Sequence, residues 1–92
     1  MDKINQHFEI CKKLNALYAK KNADYGDSFS LSFAKYGMVM PCMRLEDKLN
    51  RFVKLALSGE QHVNDESIED TLMDLANYAI MTLVERKVTN HD

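Results

Sequence analysis

Glu66, Asp70, Asp74 and Asn77 are spaced by four, four and three residues. At about 100° per residue this lines up four oxygen-bearing side chains along one stripe of a helix. Ile68, Leu72, Leu75, Ala79 and Leu83 occupy the opposite stripe, and the segment from Leu75 to Val84 is apolar nearly all round. A helix apolar on every side is buried on every side, so the acidic stripe is expected to face a bundle or subunit interface. Closely spaced carboxylates in such a place repel one another and lose hydration unless a cation or a basic side chain compensates them. The expected occupant is Mg2+ or Mn2+, held by Glu46, Asp70 and Asp74, since oxygen ligands without histidine suit these ions. The plainer alternative is an amphipathic helix with a solvated polar face.

Glu46 belongs to a second group, Arg44-Leu45-Glu46-Asp47-Lys48-Leu49-Asn50-Arg51. On a helical wheel Glu46 and Asn50 sit at the border of the apolar face, beside Val53 and Leu57. Two antiparallel helices would bring Glu46 and Asp47 towards Asp70 and Asp74. Arg44, Lys48 and Arg51 lie on the other flank, placed to receive phosphate oxygens. The alternative is a set of exposed ion pairs, such as Asp47 with Arg51, that contributes little. A metal-bound water in such a site is a nucleophile whose proton a nearby carboxylate can take. In the third group, Asn22 to Phe29, Tyr25 is placed to stack on a base, Gly26 admits close backbone approach, and Asp24 and Asp27 can read ribose or base edges. A turn in which Tyr25 only packs over the core is the alternative.

Four helices must position these groups. Ile4, Phe8, Cys11, Leu14 and Tyr18 recur at spacings of three and four, predicting a helix from Lys3 to about Lys21. Asn22 to Ser28 breaks that period, and Asp27 or Ser28 is expected to cap a short helix from Phe29 to Tyr36, closed by Gly37. Pro41 suits the first turn of a third helix running to about Ser58, with Cys42, Leu45, Leu49, Phe52 and Ala56 on its core face. Gly59 ends it. Asn64 or Asp65 caps the last helix, and the tail after Lys87 is expected to fray. The expectation is a single all-α domain over residues 1–92. It is a small antiparallel bundle of three main helices and one short one, completed by dimerisation through the last helix.

Composition narrows the function classes. The 92 residues are 46% hydrophobic and 28% charged, with a net charge of -2, which fits a folded chain and gives no field for wrapping duplex nucleic acid. A free nucleotide or nucleoside triphosphate is the better expectation. Cys11 and Cys42 show no metal spacing and are expected as buried thiols in a reducing compartment. His7, His62 and His91 share no spacing and are expected on the surface. No signal-peptide core or membrane span is evident, so a cytoplasmic protein is expected.

The run Lys21 to Phe29, with Lys35-Tyr36-Gly37, Arg44 to Arg51 and Glu66 to Tyr78, resembles the nucleotide modification associated domain family of phages and bacteria. The resemblance covers roughly Ala19 to Leu83 and implies a part in phage nucleotide metabolism. More distantly, the layout is similar to the all-α MazG and dimeric dUTPase group of nucleoside triphosphate pyrophosphohydrolases, which place ExxE and ExxD on two helices around magnesium. This chain has Leu49 three residues after Glu46, with Asn50 next, and Thr71 three before Asp74. The second resemblance implies hydrolysis of a triphosphate to monophosphate and pyrophosphate. Asp47 or Glu66 would support the attacking water, while Asn22, Asp24, Tyr25, Asp27, Asn50 and Asn77 would lie near the nucleotide. The competing readings are a protein that sequesters a nucleotide or signal molecule without catalysis, and a helical protein-interaction module.

Overall fold

Asp2 starts the first helix: its Oδ1 accepts the backbone N–H of Ile4 at 3.0 Å and of Asn5 at 3.4 Å, satisfying donors that the first turn leaves open. A computed structural model describes residues 2–25, 27–57 and 65–89, with residues 25, 65 and 66 described in backbone only. They form α1 (Lys3–Tyr25), α2 (Ser28–Tyr36), α3 (Val39–Leu57) and α4 (Asp65–Thr89). The expected all-α bundle is present. Asn22 to Tyr25 nevertheless continue α1, because residues of weak helix propensity prolong a helix that neighbouring elements already hold. Val88 and Thr89 likewise remain helical, and the Thr89 hydroxyl donates to the Glu85 carbonyl at 2.6 Å. The expected stop at Gly59, a cap at Asn64 or by the side chain of Asp65, His62, and the tail from Asn90 lie outside what is described, while the backbone of Asp65 opens α4.

Two left-handed residues bend the chain between helices. Asp27 precedes α2 at φ 59, and its side chain makes no capping hydrogen bond, so the expected side-chain cap is absent. Its backbone serves instead: its N–H reaches the Asn22 carbonyl at 3.4 Å, and its carbonyl accepts from Leu31 at 3.3 Å. Gly37 closes α2 at φ 68 and ψ -153, a region essentially restricted to glycine. Its N–H donates to the Phe33 carbonyl at 2.8 Å. The turn delivers Met40 and Pro41 into the core, and Pro41, with no N–H to satisfy, sits in the first turn of α3 without loss.

All three other helices lean on α4. Leu14 of α1, Phe29 of α2, and Met40 and Pro41 of α3 are buried, and so are Thr71, Asn77 and Glu85 of α4. The inward side of α4 is therefore markedly polar. Asn77 donates from Nδ2 to the Leu14 carbonyl at 3.1 Å, tying α1 to α4, and Ser30 donates to Glu85 Oε1 at 3.0 Å, tying α2 to it. Thr71 turns its hydroxyl to the Ser67 carbonyl at 2.8 Å. Among the described residues no buried side-chain nitrogen or oxygen lacks a partner.

The burial pattern departs from the expected one on three counts. In α1 only Leu14 is buried, while Ile4 and Phe8 are 83% and 57% exposed, because the first turns run past the point where α1 meets α4. In α3 the inward residues are Pro41, Leu45, Lys48, Phe52 and Leu55, whereas Cys42, Leu49 and Ala56 are exposed. The helix is rotated by roughly one residue position from the expected face, so that Lys48 turns towards Asp74. Cys11 and Cys42 are both exposed, against the expected burial. No helix among the described residues is long and apolar enough to cross a membrane.

An added Cβ at Gly37 meets nothing within 4 Å, so only the backbone conformation demands glycine there. Gly37→Ala should lower unfolding stability by about 1–3 kcal/mol through strain alone, read from urea denaturation. Asn77→Leu should cost about 1–3 kcal/mol by leaving the Leu14 carbonyl short of its second donor and misfilling the crossing. Near-neutral outcomes would show that these two sites do not hold the fold.

Candidate functional site

Where α1, α2 and α3 meet the middle of α4 they leave a cleft of about 240 Å³. Tyr18, Lys21 and Asn22 come from α1, Ser28 and Phe29 from the start of α2, Arg44 from α3, and Asp74, Asn77, Tyr78 and Met81 from α4. The α1 residues reach it because Leu14, Tyr18 and Lys21 share one face at helical spacing, and Leu14 is pinned at the crossing. Phe29 and Tyr78 stack with ring centroids 6.0 Å apart and planes 23° from parallel, giving the floor an aromatic surface. A second, apolar hollow of about 220 Å³ continues between α1 and α4 past Cys11, Leu14 and Ile80, sharing Tyr18, Asn77 and Met81 with the first.

Asp74 organises the charges. Its Oδ2 lies 3.0 Å from Lys48 Nζ and its Oδ1 3.3 Å from Lys21 Nζ, so one carboxylate bridges two ammonium groups on different helices. The Asp74 and Lys48 side chains are about three-quarters buried, at 25% and 28% exposure, while Lys21 is 52% exposed. Each bridge is in contact with water and contributes on the order of 0.2–1 kcal/mol. The local balance is positive: Lys21 and Arg44 share the wall with Asp74, the single carboxylate among the described wall residues, and Lys48 pairs with it.

The expected site residues are distributed unevenly. Arg44, Asn22, Asp74 and Asn77 line the cleft, and Lys48 reaches it through Asp74. Glu46 and Asn50, expected at a half-buried border, are exposed. They lie on the outward side of α3 with Val53 and Leu57, because the same rotation that turns Lys48 in turns them out. Asp70, Asp47 and Arg51 are exposed, as are Asp24 and Asp27, which are not on the wall. The side chains of Tyr25 and Glu66 lie outside the description. Among the described residues no three His, Cys, Asp or Glu side chains converge as ligands of a metal ion would. The set Glu46, Asp70 and Asp74 is thus not assembled here, and the partners of Asp74 are basic side chains.

Sequence reasoning missed Tyr18, Lys21, Ser28, Phe29, Tyr78 and Met81. Tyr18 and Lys21 had a legible signal, since they extend the Leu14 face of α1 by one and two turns. Tyr78 and Met81 had none, because a nearly uniformly apolar helix does not announce which side faces a cavity.

The molecule is thus a small all-α protein with a basic, ring-lined cleft. It belongs to the nucleotide modification associated domain 1 family, whose model matches residues 21–85, the span that carries the lining residues of the cleft other than Tyr18. Neither a curated protein nor a solved structure gives a significant match.

If the double bridge at Asp74 is a water-accessible one, Asp74→Asn should cost no more than about 1–2 kcal/mol at low salt, and much of that loss should vanish at 1 M salt, where screening acts over about 3 Å. Urea titrations of both proteins at two ionic strengths measure it. A larger, salt-independent loss would mark Asp74 as a buried structural ion.

Proposed function

We propose that this protein binds a nucleotide in the cleft, its phosphates meeting Lys21, Arg44 and Lys48 and its base lying against the ring-lined wall. The single observation that carries this reading is a cleft lined by Lys21 and Arg44, with Lys48 paired to its Asp74, whose other walls supply Tyr18, Phe29 and Tyr78. Arginine matches two phosphate oxygens with its planar fork, and lysine adds movable point charges. Aromatic rings offer a base a sequence-tolerant stacking surface, and Asn22 supplies both a donor and an acceptor for its edge. The family's association with nucleotide modification makes a nucleotide the natural anion.

On this reading Asp74 is a placeholder. It keeps Lys21 and Lys48 near each other while the cleft is empty and yields them to phosphate oxygens. A divalent ion then enters as the counter-ion of the phosphates, not in a cage of protein carboxylates. The second reading is hydrolysis of a nucleoside triphosphate to monophosphate and pyrophosphate with Mg2+ or Mn2+, and the position of Asp74 on the cleft wall favours it. It requires Asp74 to exchange its lysines for the metal.

Titration calorimetry with nucleoside mono-, di- and triphosphates, with and without Mg2+, tests both readings. Lys21→Ala and Arg44→Ala should each weaken binding roughly tenfold, the loss of one charge-assisted contact. Asp74→Asn discriminates: it should tighten binding by freeing both ammonium groups, whereas loss of magnesium-dependent binding together with pyrophosphate release by the unaltered protein would establish the enzyme. No binding of any nucleotide in either condition would end the proposal.

A further inference from the structure

We propose that the outward face of α4 pairs with the same face of a second copy of this chain, antiparallel, about a two-fold axis between Ala76 and Ala79. This does not depend on the nucleotide reading. Opposite the polar side that α4 turns to its own bundle lie Glu69, Leu72, Ala76, Ala79, Leu83 and Arg86, spaced by three, four, three, four and three residues. That alternation keeps one seam on one side of a supercoiled helix. Most of the seam is uncovered: Leu72 is 40% and Leu83 61% exposed, Ala79 is exposed and Ala76 partly so, and Ile80 and Val84 beside it are 44% and 43% exposed.

The order of residues argues for a second copy as the occupant. Reversed about the midpoint of Ala76 and Ala79, the seam reads the same: Leu72 meets Leu83, Ala76 meets Ala79, and Glu69 meets Arg86. A two-fold interface has to be self-complementary in this way. Parallel pairing would set Glu69 against Glu69 and Arg86 against Arg86, whereas the antiparallel arrangement joins opposite charges at both ends. The central alanines let the two backbones approach closely, and the leucines flank them.

The protomer exposes more surface than a compact chain of its mass. The chain exposes 7374 Å², against roughly 5,500 Å² for a compact monomer of its mass, and a standard interface covers about 800 Å² per partner. Its radius of gyration is 14.9 Å, where about 12.3 Å is usual for this length. Ile4 and Phe8 on the free turns of α1 add apolar surface.

Sedimentation equilibrium of the full chain should give twice the 10.6 kDa chain mass at micromolar concentration; a monomer overturns the proposal. Leu83→Glu, at a position more than half exposed within the protomer, should yield a monomer that keeps its helical circular dichroism, and a persisting dimer overturns the assignment of the face. Should that variant unfold, the charged ends decide. Glu69→Arg and Arg86→Glu should each raise the dimer dissociation constant by about three- to tenfold, as expected for two exposed contacts per dimer. The double variant should restore it to within about twofold. Failure of the restoration overturns the antiparallel register.

Discussion

The structure depends on one constraint: α4 turns a polar side towards the helices that pack on it, and every group on that side needs a partner. Thr71 finds one within its own helix, Glu85 finds Ser30, Asn77 finds the Leu14 carbonyl, and Asp74 finds Lys21 and Lys48. Burying such groups unpaired costs roughly 1–3 kcal/mol each, and more when charged. A core with so few buried apolar side chains has little hydrophobic surplus to offset that. Partnering therefore sets where the helices lie. The Leu14 carbonyl fixes the crossing of α1, Ser30 places the start of α2, and Lys48 sets the rotation of α3.

The same constraint produces the cleft. An apolar side on α4 would have drawn the three helices into close contact along its length. The carboxylate of Asp74 instead holds two long lysines, and their stems and heads stand where closer packing would put side chains. The result is a space bordered by cations on one side and by the stacked Phe29 and Tyr78 rings on the other. Its charges are held by water-accessible bridges that a competing anion can replace, since exposed ion pairs are weak. The contacts that partner Asp74 are also the ones on which the proposed nucleotide binding rests.

A polar inner side on α4 has a counterpart outside. Leu72 and Leu83 sit on the side facing away from the protomer's own core, with Ile80 and Val84 exposed at its margins. Solvent-exposed apolar residues are ordinary when scattered, but a continuous seam marks an interaction surface. The helix thus differs around its circumference, with bundle and cleft on the polar side and the seam proposed for pairing on the apolar one.

Much of this was legible in the sequence. Helices α1 and α3 follow from spacings of three and four in Ile4 to Tyr18 and Leu45 to Phe52, and the bend at Gly37 follows from a residue that alone tolerates its backbone angles. Arg44, Lys48, Asp74 and Asn77 stood out by type and spacing, and the family was readable from the motifs between Lys21 and Tyr78. Only the tertiary structure decided which way each helix faces. The apolar periodicity of α3 specifies its inward direction to within about one residue position, and that residue exchanged Glu46 for Lys48 at the contact with Asp74. In α4 the stripe of Glu66, Asp70, Asp74 and Asn77 pointed to the bundle, and Asp74 and Asn77 do face it while Asp70 is exposed, because a helix apolar nearly all round has little amphipathic moment to hold one face. Its orientation came from hydrogen bonds and ion pairs with residues more than fifty positions away. Local spacing records what a residue has beside it on its own helix, while a partner on another helix is chosen by packing and by the cost of leaving a polar group alone.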